Sequence, residues 1–408
     1  MLSHPALMQN LDRFCQHDNG PMAVRVLLVT SSLQCGGAER VLVDMANYWA
    51  KKWWQVSVAT WSGSDVEDFY QLDSSVCRLW MDVHSPNTWS FVKLLSHYRR
   101  IKRLRAVLSE LQPDVVVSFI DWSNILTILA CFGLHTRLII SERVHPAYHR
   151  NLSTPWKVLR RVLYRRADVV VAQTKEVAHW LDGKCGTKAQ TIPNALRDLP
   201  YVTASREHTI LAVGRLSWQK GFDLLLQAFA SIQVEFDGWE MIIAGGGPER
   251  ENLMNLCSRL SLLGKVKVIP PVRNIEKLMA RASLVVQPSR FEGFPNVVLE
   301  AMGMGAAVVS ADCPSGPSEL IQDGVNGRLV PVGDVRGLAD MMRELLADPD
   351  QRLRIGRNAE RVRQTYGQAR VMQMWENCIF QVTNLDQDNT SRASATAYGR
   401  GKSSGLRK

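Results

Sequence analysis

Pro288-Ser-Arg-Phe-Glu-Gly-Phe-Pro-Asn-Val-Val-Leu-Glu-Ala-Met302 is the stretch on which the reading of this chain turns. The apolar run before it, Ala282-Ser-Leu-Val-Val-Gln287, is bounded by Pro288 and suits a short buried strand. After it, Val297, Val298, Ala301 and Met302 recur at helical spacing and predict a buried helix. Pro295 and Asn296 fall at the helix start, where a missing N–H costs nothing and Asn can cap. Such a junction offers unpaired backbone N–H groups and the positive end of a helix dipole, a seat for phosphate. Glu292 and Glu300, roughly 12 Å apart along the axis, would bracket something longer than one phosphate. Paired glutamates are usually solvated helix residues. Gly293 and Pro295 fix a special backbone around Glu292 and favour a functional role.

Upstream, the chain runs through a strand–turn–helix unit: Thr209 to Gly214, then Arg215-Leu-Ser-Trp-Gln-Lys-Gly221, then a helix from Phe222. Arg215 and Lys220, set just after a strand with Gly214 and Gly221 around them, favour phosphate over ordinary surface charge. The strand Glu240–Ala244 leads into Gly245-Gly-Gly-Pro-Glu249. Lacking a third spaced glycine, this reads as a tight turn beneath a base or ribose at Gly246 and Gly247. Lys265 to Pro270 is a further strand.

The amino-terminal half carries the same pattern. Ala-Val-Arg-Val-Leu-Leu-Val-Thr30 is a strand, Gly36-Gly37 a glycine turn, and a helix follows over Val41 to Tyr48. The next strand, Gln55 to Thr60, is followed by Trp61 rather than an acid, which disfavours a nicotinamide enzyme. Strands at Asp114–Ile120, Arg137–Ser141 and Asp168–Thr174 complete a parallel sheet. Ser141-Glu-Arg-Val-His-Pro146 puts polar side chains at a strand's carboxyl end, where ligands of open α/β sheets collect. Arg143 and His145 there either face substrate or anchor the loop, and the sequence weighs both equally.

The expected fold class is thus α/β, two doubly wound Rossmann-like domains facing across a cleft. Residues 1–22 are expected as an amino-terminal extension and 23–195 as the first Rossmann-like domain. A linker is expected over 196–208 and the second Rossmann-like domain over 209–366. A carboxyl-terminal helix over 367–383 is expected to cross back to the first domain. The polar, basic segment 384–408 is expected to be disordered.

At 408 residues there is length for two cores, and 46% hydrophobic with 22% charged residues is a globular balance. No apolar run approaches the roughly 20 residues of a membrane span, and residues 1–20 do not read as a signal peptide. Eight scattered cysteines without a Cys-x-x-Cys pair fit reduced cytosolic thiols. The net charge of +10 is concentrated in two segments, Arg99, Arg100, Lys102, Arg103, Arg105 and Lys157, Arg160, Arg161, Arg165, Arg166. These either solvate helix faces or meet an anionic surface. Without any nucleic-acid-binding motif, membrane lipid is preferred over nucleic acid. Trp53 and Trp54, after Lys51 and Lys52, are either core or interfacial.

Gly36-Gly-Ala-Glu39, Ile192-Pro-Asn194, Val213-Gly-Arg-Leu-Ser217 with Lys220-Gly221, Gly245-Gly-Gly-Pro248 and Glu292 to Glu300 together resemble the retaining glycosyltransferases of family 4, which have the GT-B fold. The resemblance runs over about residues 23 to 380. It implies that Arg215 and Lys220 neutralise the diphosphate of a nucleotide sugar in place of a metal, with Glu292 catalytic beside the transferred sugar. It implies Glu300 on the ribose hydroxyls, and Gly36, Gly37, Gly214, Gly246, Gly247, Phe294, Pro295, Asn296 and Val297 around the donor. Arg143 and His145 would lie on the acceptor or sugar side. Cys313-Pro-Ser-Gly-Pro-Ser-Glu319 resembles members using UDP-galactose or UDP-N-acetylhexosamine.

The implied activity is metal-independent transfer of a hexose or N-acetylhexosamine from a UDP-sugar, with no cofactor besides this donor. The acceptor would be a lipid-linked, lipopolysaccharide or capsule glycan, handled in the cytoplasm at the inner face of the membrane. A non-catalytic nucleotide-sugar-binding scaffold is the other reading. Asp348-Pro-Asp350 matches the metal motif of the other major glycosyltransferase fold, but beside Pro349 it reads as a helix-end turn.

Overall fold

The computed structural model describes residues 24–82, 90–148, 152–199, 206–272 and 274–384. The extension expected over 1–22 and all but Asn384 of the tail lie outside them. The chain divides into two compact units. The first takes the residues up to Gln173, Val177–Ile192 and those from Met372 onward; the second takes Thr174–Glu176 and Pro193–Val371.

The first unit is built on β1 (Arg25–Thr30), β2 (Gln55–Thr60), β3 (Cys77–Trp80), β4 (Val115–Phe119), β5 (Arg137–Ser141), β6 (Val169–Ala172) and β7 (Gln190–Thr191). They lie in the order β3-β2-β1-β4-β5-β6-β7, and every pair is parallel. The second unit has β8 (Glu207–Val213), β9 (Glu240–Ala244), β10 (Val266–Ile269), β11 (Ala282–Gln287), β12 (Ala307–Ala311) and β13 (Arg328–Val330). Their order is β10-β9-β8-β11-β12-β13, again all parallel. These are two doubly wound Rossmann-like sheets, as the sequence predicts. Central strands such as Val-Val-Val-Ser-Phe in β4 are buried at every position, because helices cover both faces. β3, β12 and β13, three to five residues each, were not legible as strands beforehand.

Each sheet has its own core, Leu27, Val29, Val116 and Ile140 among the residues of the first, and Ile210, Met241, Leu284 and Val309 among those of the second. The stretch read as a linker from 196 is partly core. Leu196 and Leu199 are each 3% exposed within the second unit, and the Leu196 N–H donates to the Tyr366 carbonyl at 2.7 Å. Residues 200–205 lie outside the described residues.

The final helix, Gln368–Thr383, sends Trp375 to stack near Phe119 and Phe380 against Trp54, within the first unit. Glu376 accepts from Lys52 Nζ at 2.8 Å beside them. The paired tryptophans divide: Trp54 is buried and stacked on Trp49 at 5.2 Å, while Trp53 is 50% exposed. Asp348 caps the Pro349–Ala359 helix, accepting from the Gln351 N–H at 2.9 Å, so the Asp-Pro-Asp triplet is a helix end.

Candidate active site

In the second unit, β8 delivers the chain into Gly214, Arg215 and a short 3-10 turn, Trp218–Lys220. Gly221 then adopts φ +67°, and a Cβ there would stand 2.1 Å from the Pro288 carbonyl oxygen. Only glycine lets the Lys220 turn press against the Pro288 junction so closely. The Lys220 side chain folds back across Gly214, where its Cε lies 3.2 Å from the place a Cβ would take. Its ammonium Nζ ends 2.6 Å from Glu292 Oε1.

That carboxylate oxygen also accepts from Gln287 Nε2 at 2.7 Å and Ser289 Oγ at 2.6 Å. Glu292 is 5% exposed. A carboxylate this buried is tolerable because a cation and two neutral donors meet it. Ser315 Oγ donates to the Glu292 carbonyl at 3.0 Å, fixing the main chain as well. Cys313 is buried beside this group; burial, and then the Glu292 charge, push its thiol well above the ordinary range.

A second network holds the two loops in register. The Arg290 N–H donates to the Gln219 carbonyl at 2.8 Å, and the Arg290 guanidinium donates to the Trp218 carbonyl at 2.6 Å. The same guanidinium grips both Asp223 oxygens, at 2.9 and 2.7 Å, and lies 4.7 Å from the Trp218 ring centroid. Gln219 Nε2 donates to the Phe291 carbonyl at 2.9 Å. Arg290 thereby fixes the turn that carries Lys220 relative to the loop that carries Glu292. Neither Arg290 nor Asp223 was singled out from the sequence. Arg290 sits inside the diagnostic stretch, but its partner is 67 residues away and leaves no local signal.

The glycines after β9, expected beneath a base or ribose, also meet a packing constraint. A Cβ on Gly245 would stand 1.8 Å from the Gly214 carbonyl, and one on Gly247 (φ +153°) 2.3 Å from the Leu216 carbonyl. Two loop backbones touch here, so glycine is required by loop-on-loop packing. Gly246 meets only the Pro271 ring, at 3.3 Å.

At the start of the Asn296–Gly303 helix, Pro295 occupies the cap position and no side chain caps it. Asn296, expected as a cap, instead accepts from Asn194 Nδ2 at 2.7 Å. Phe294 is 7% exposed and packs in the core below, with Val297 partly buried against it. Glu300 is 4% exposed on the same helix. Arg215 is exposed, one turn of chain before Lys220.

The remaining candidates belong to the first unit. Gly36 is extended (φ −162°) ahead of the Gly37–Ala50 helix and accepts from the Tyr70 hydroxyl at 3.2 Å. Arg143 is 6% exposed, with its guanidinium 3.7 Å from the Phe119 centroid and 5.6 Å from that of Trp375. Burial brings it down to about 9. His145 is 3% exposed; its Nδ1 accepts from the Ala147 N–H at 3.2 Å, and its ring meets Tyr148 at 4.8 Å. Of the two readings left open for His145, anchoring its own turn is the one this geometry supports.

Beside them lies a polar interior the sequence did not reveal. The Tyr164 hydroxyl donates to Glu142, and Asn124 Nδ2 donates to the Ser141 carbonyl at 3.1 Å and to Tyr164 at 3.3 Å. Asp121 follows Ile120, a β-branched residue held at φ +75° at the strand-to-helix turn. Among the described residues no cluster of His, Cys, Asp or Glu is arranged to hold a metal ion.

Residues 35–197 match the family Glycosyltransferase Family 4. Residues 200–362 match Glycosyl transferases group 1. The chain belongs to the GT-B glycosyltransferases. A Campylobacter jejuni α-1,4-N-acetyl-D-galactosaminyltransferase, named for a PP-undecaprenol-linked GalNAc glycan acceptor, is 28% identical over 88% of this glycosyltransferase and 99% of that protein. Among solved structures, sucrose-phosphate synthase from Thermosynechococcus elongatus superposes with a TM-score of 0.78 at 16% identity, covering 89% of this chain and 100% of that one. Anabaena HepE in complex with UDP-glucose superposes with a TM-score of 0.72 at 20% identity, over 87% and 99%. Relatives of this kind work in glycan and lipid-linked oligosaccharide assembly.

Proposed function

We propose that this glycosyltransferase moves a hexose or N-acetylhexosamine, with retention of anomeric configuration, from a UDP-sugar to a lipid-linked, lipopolysaccharide or capsule glycan at the inner face of the cytoplasmic membrane. The observation that carries the reading is the Lys220–Glu292 pair, 2.6 Å apart and held by the Arg290 clamp in a site with Arg215 exposed nearby. An ammonium has three donors, so Lys220 can keep Glu292 and still meet a diphosphate. As the bond from sugar carbon to diphosphate oxygen breaks, negative charge grows on the leaving UDP. Arg215 and Lys220, already positioned, would stabilise it. The acceptor hydroxyl then bonds to that carbon on the face the leaving group vacates and passes its proton to the departing diphosphate oxygen. Glu292 would stand by the sugar and Glu300 would accept from the ribose hydroxyls, as an acceptor-only carboxylate does.

The donor assignment is supported by the UDP-glucose complex of HepE, and the acceptor class by the name of the Campylobacter relative. Metal independence follows from giving the two cations the charge-neutralising role. Purified protein with a panel of UDP-sugars should release UDP slowly without acceptor, undiminished by EDTA, and build an α-linked product from an α-linked donor. Turnover of a GDP- or ADP-sugar alone, loss of activity with EDTA, or an inverted anomer by NMR would each overturn the corresponding part.

A further inference from the structure

The helix Thr154–Leu163 is amphipathic in the inverted sense. Its Arg160 is 3% exposed, stands 4.0 Å from Asp121, donates to the Pro146 carbonyl at 3.4 Å and lies 5.2 Å from the Trp180 ring centroid. Val158, Leu159 and Val162 point the other way and are 52%, 38% and 52% exposed. At about 100° per residue these three share one arc of about 100°. A soluble helix ordinarily turns this stripe inward.

Cations surround the aliphatic row. Lys157 and Arg161 lie on the same helix and Arg165 and Arg166 follow it, while residues 152–167 contain no acid. The Arg166 guanidinium lies 5.5 Å from the centroid of Phe132, which is itself 63% exposed, so the surface continues past the helix end. The neighbouring helix, Ser90–Leu111, touches through His97 and Trp156, whose rings are 5.1 Å apart. It adds Tyr98, 54% exposed, with Lys102 Nζ 5.4 Å from its ring centroid.

Exposed aliphatics ringed by Lys and Arg match an anionic bilayer, whose acyl boundary takes the apolar side chains while its phosphates meet the cations. A second copy would bring a like-charged face, and a nucleic-acid backbone gives three aliphatics nothing to pack against. No described helix is long and apolar enough to cross a membrane, so attachment here would be interfacial. We propose that the Val158–Leu159–Val162 face docks this glycosyltransferase on anionic lipid. The proposal deepens the membrane-borne acceptor reading above and rests on it.

The test is co-sedimentation of the full chain with vesicles of phosphatidylglycerol and phosphatidylethanolamine, against vesicles of phosphatidylcholine alone. The wild type should pellet with the anionic vesicles only. Combined Val158→Ser, Leu159→Ser and Val162→Ser should lower partitioning about tenfold or more, as expected for losing the buried apolar area. Arg161→Glu with Arg165→Glu should abolish the preference for anionic lipid. Acceptor-free UDP release from a soluble donor should be unchanged in both variants, which also reports that they fold. Wild-type-like pelleting of both variants would overturn this face while leaving the membrane reading intact. Failure of the wild type to pellet with either vesicle would overturn the membrane reading and this proposal together. A wild-type dimer by light scattering that the triple variant dissolves would make the face a contact between copies and overturn the proposal.

Discussion

Lys220 Nζ stands 2.6 Å from Glu292 Oε1, on an oxygen that two further side chains, Gln287 and Ser289, also reach. The Lys220 and Glu292 side chains are 17% and 6% exposed. A pair this buried holds its geometry before any ligand arrives, which is what a site that neutralises a leaving group requires.

Lys220→Ala and Glu292→Gln should each lower UDP release about 10²- to 10³-fold, the usual cost of removing one preorganised charge partner. Because the two act on one another, the double variant should fall well short of the product of the two losses. Glu292→Gln keeps an acceptor for Gln287 and Ser289 and should melt near the wild type. Full activity in either single variant rules the site out.

Arg290→Lys keeps the charge and loses the two-pronged grip on Asp223. Since Arg290 acts by positioning the Lys220 turn, kcat should drop roughly tenfold, with far less change in KM. Asp223→Asn should reproduce the same split. A change confined to KM would mean Arg290 itself binds donor.

Gly221→Ala should lower the urea midpoint by the equivalent of about 1–3 kcal/mol or more, because φ +67° and a backbone oxygen at 2.1 Å both oppose a Cβ. Gly133→Ala is the matched control. It also has positive φ, +76°, but nothing lies within 4 Å of the new methyl, so its cost should be the conformational part alone, about 1–2 kcal/mol. Equal losses would show that the contact with Pro288 is unimportant.

Tyr70 and Tyr164 should resist alkaline ionisation. Burial raises Tyr70 to about 12, against a lowering by nearby Arg40. Burial and then the Glu142 charge hold Tyr164 well above the ordinary value of 10.0. Each keeps its proton in the folded state where the unfolded chain has lost it. The stability they contribute is therefore present below pH 10 and falls as pH rises from there through their folded values. Absorbance at the phenolate band should show Tyr70 and Tyr164 ionising well after the exposed tyrosines, at strongly alkaline pH or on unfolding. Tyr164→Phe with Tyr70→Phe should flatten the loss of stability above pH 10; an unchanged slope would refute the assignment.

The basic segments show how far composition can be read. Ten cations in two basic segments were legible as one property, yet Arg100 and Arg160 are 7% and 3% exposed. Each is spent inside the first unit, Arg160 near Asp121 and Arg100 over the Trp122 ring at 5.4 Å. Helical spacing alone cannot say which side of an amphipathic helix meets the core when both sides carry branched aliphatics or arginines. For the same reason Trp53 and Trp54 were ambiguous, and adjacent residues went to opposite environments.

What the sequence by itself determined was local and periodic. Apolar runs bounded by glycine and proline specified the parallel strands. The repeated strand–turn–helix order specified two Rossmann-like units, and the glycine-flanked Arg215, Lys220 and Glu292 marked a candidate site. The tertiary structure decided what depends on partners distant in the chain. It paired Lys220 with Glu292 and Arg290 with Asp223, pressed the backbones at Gly245 and Gly247 against the Gly214–Leu216 loop, and turned Val158, Leu159 and Val162 outward. Each of these is a contact between backbones or charges brought together only by folding the sheets, and chain spacing carries no record of it.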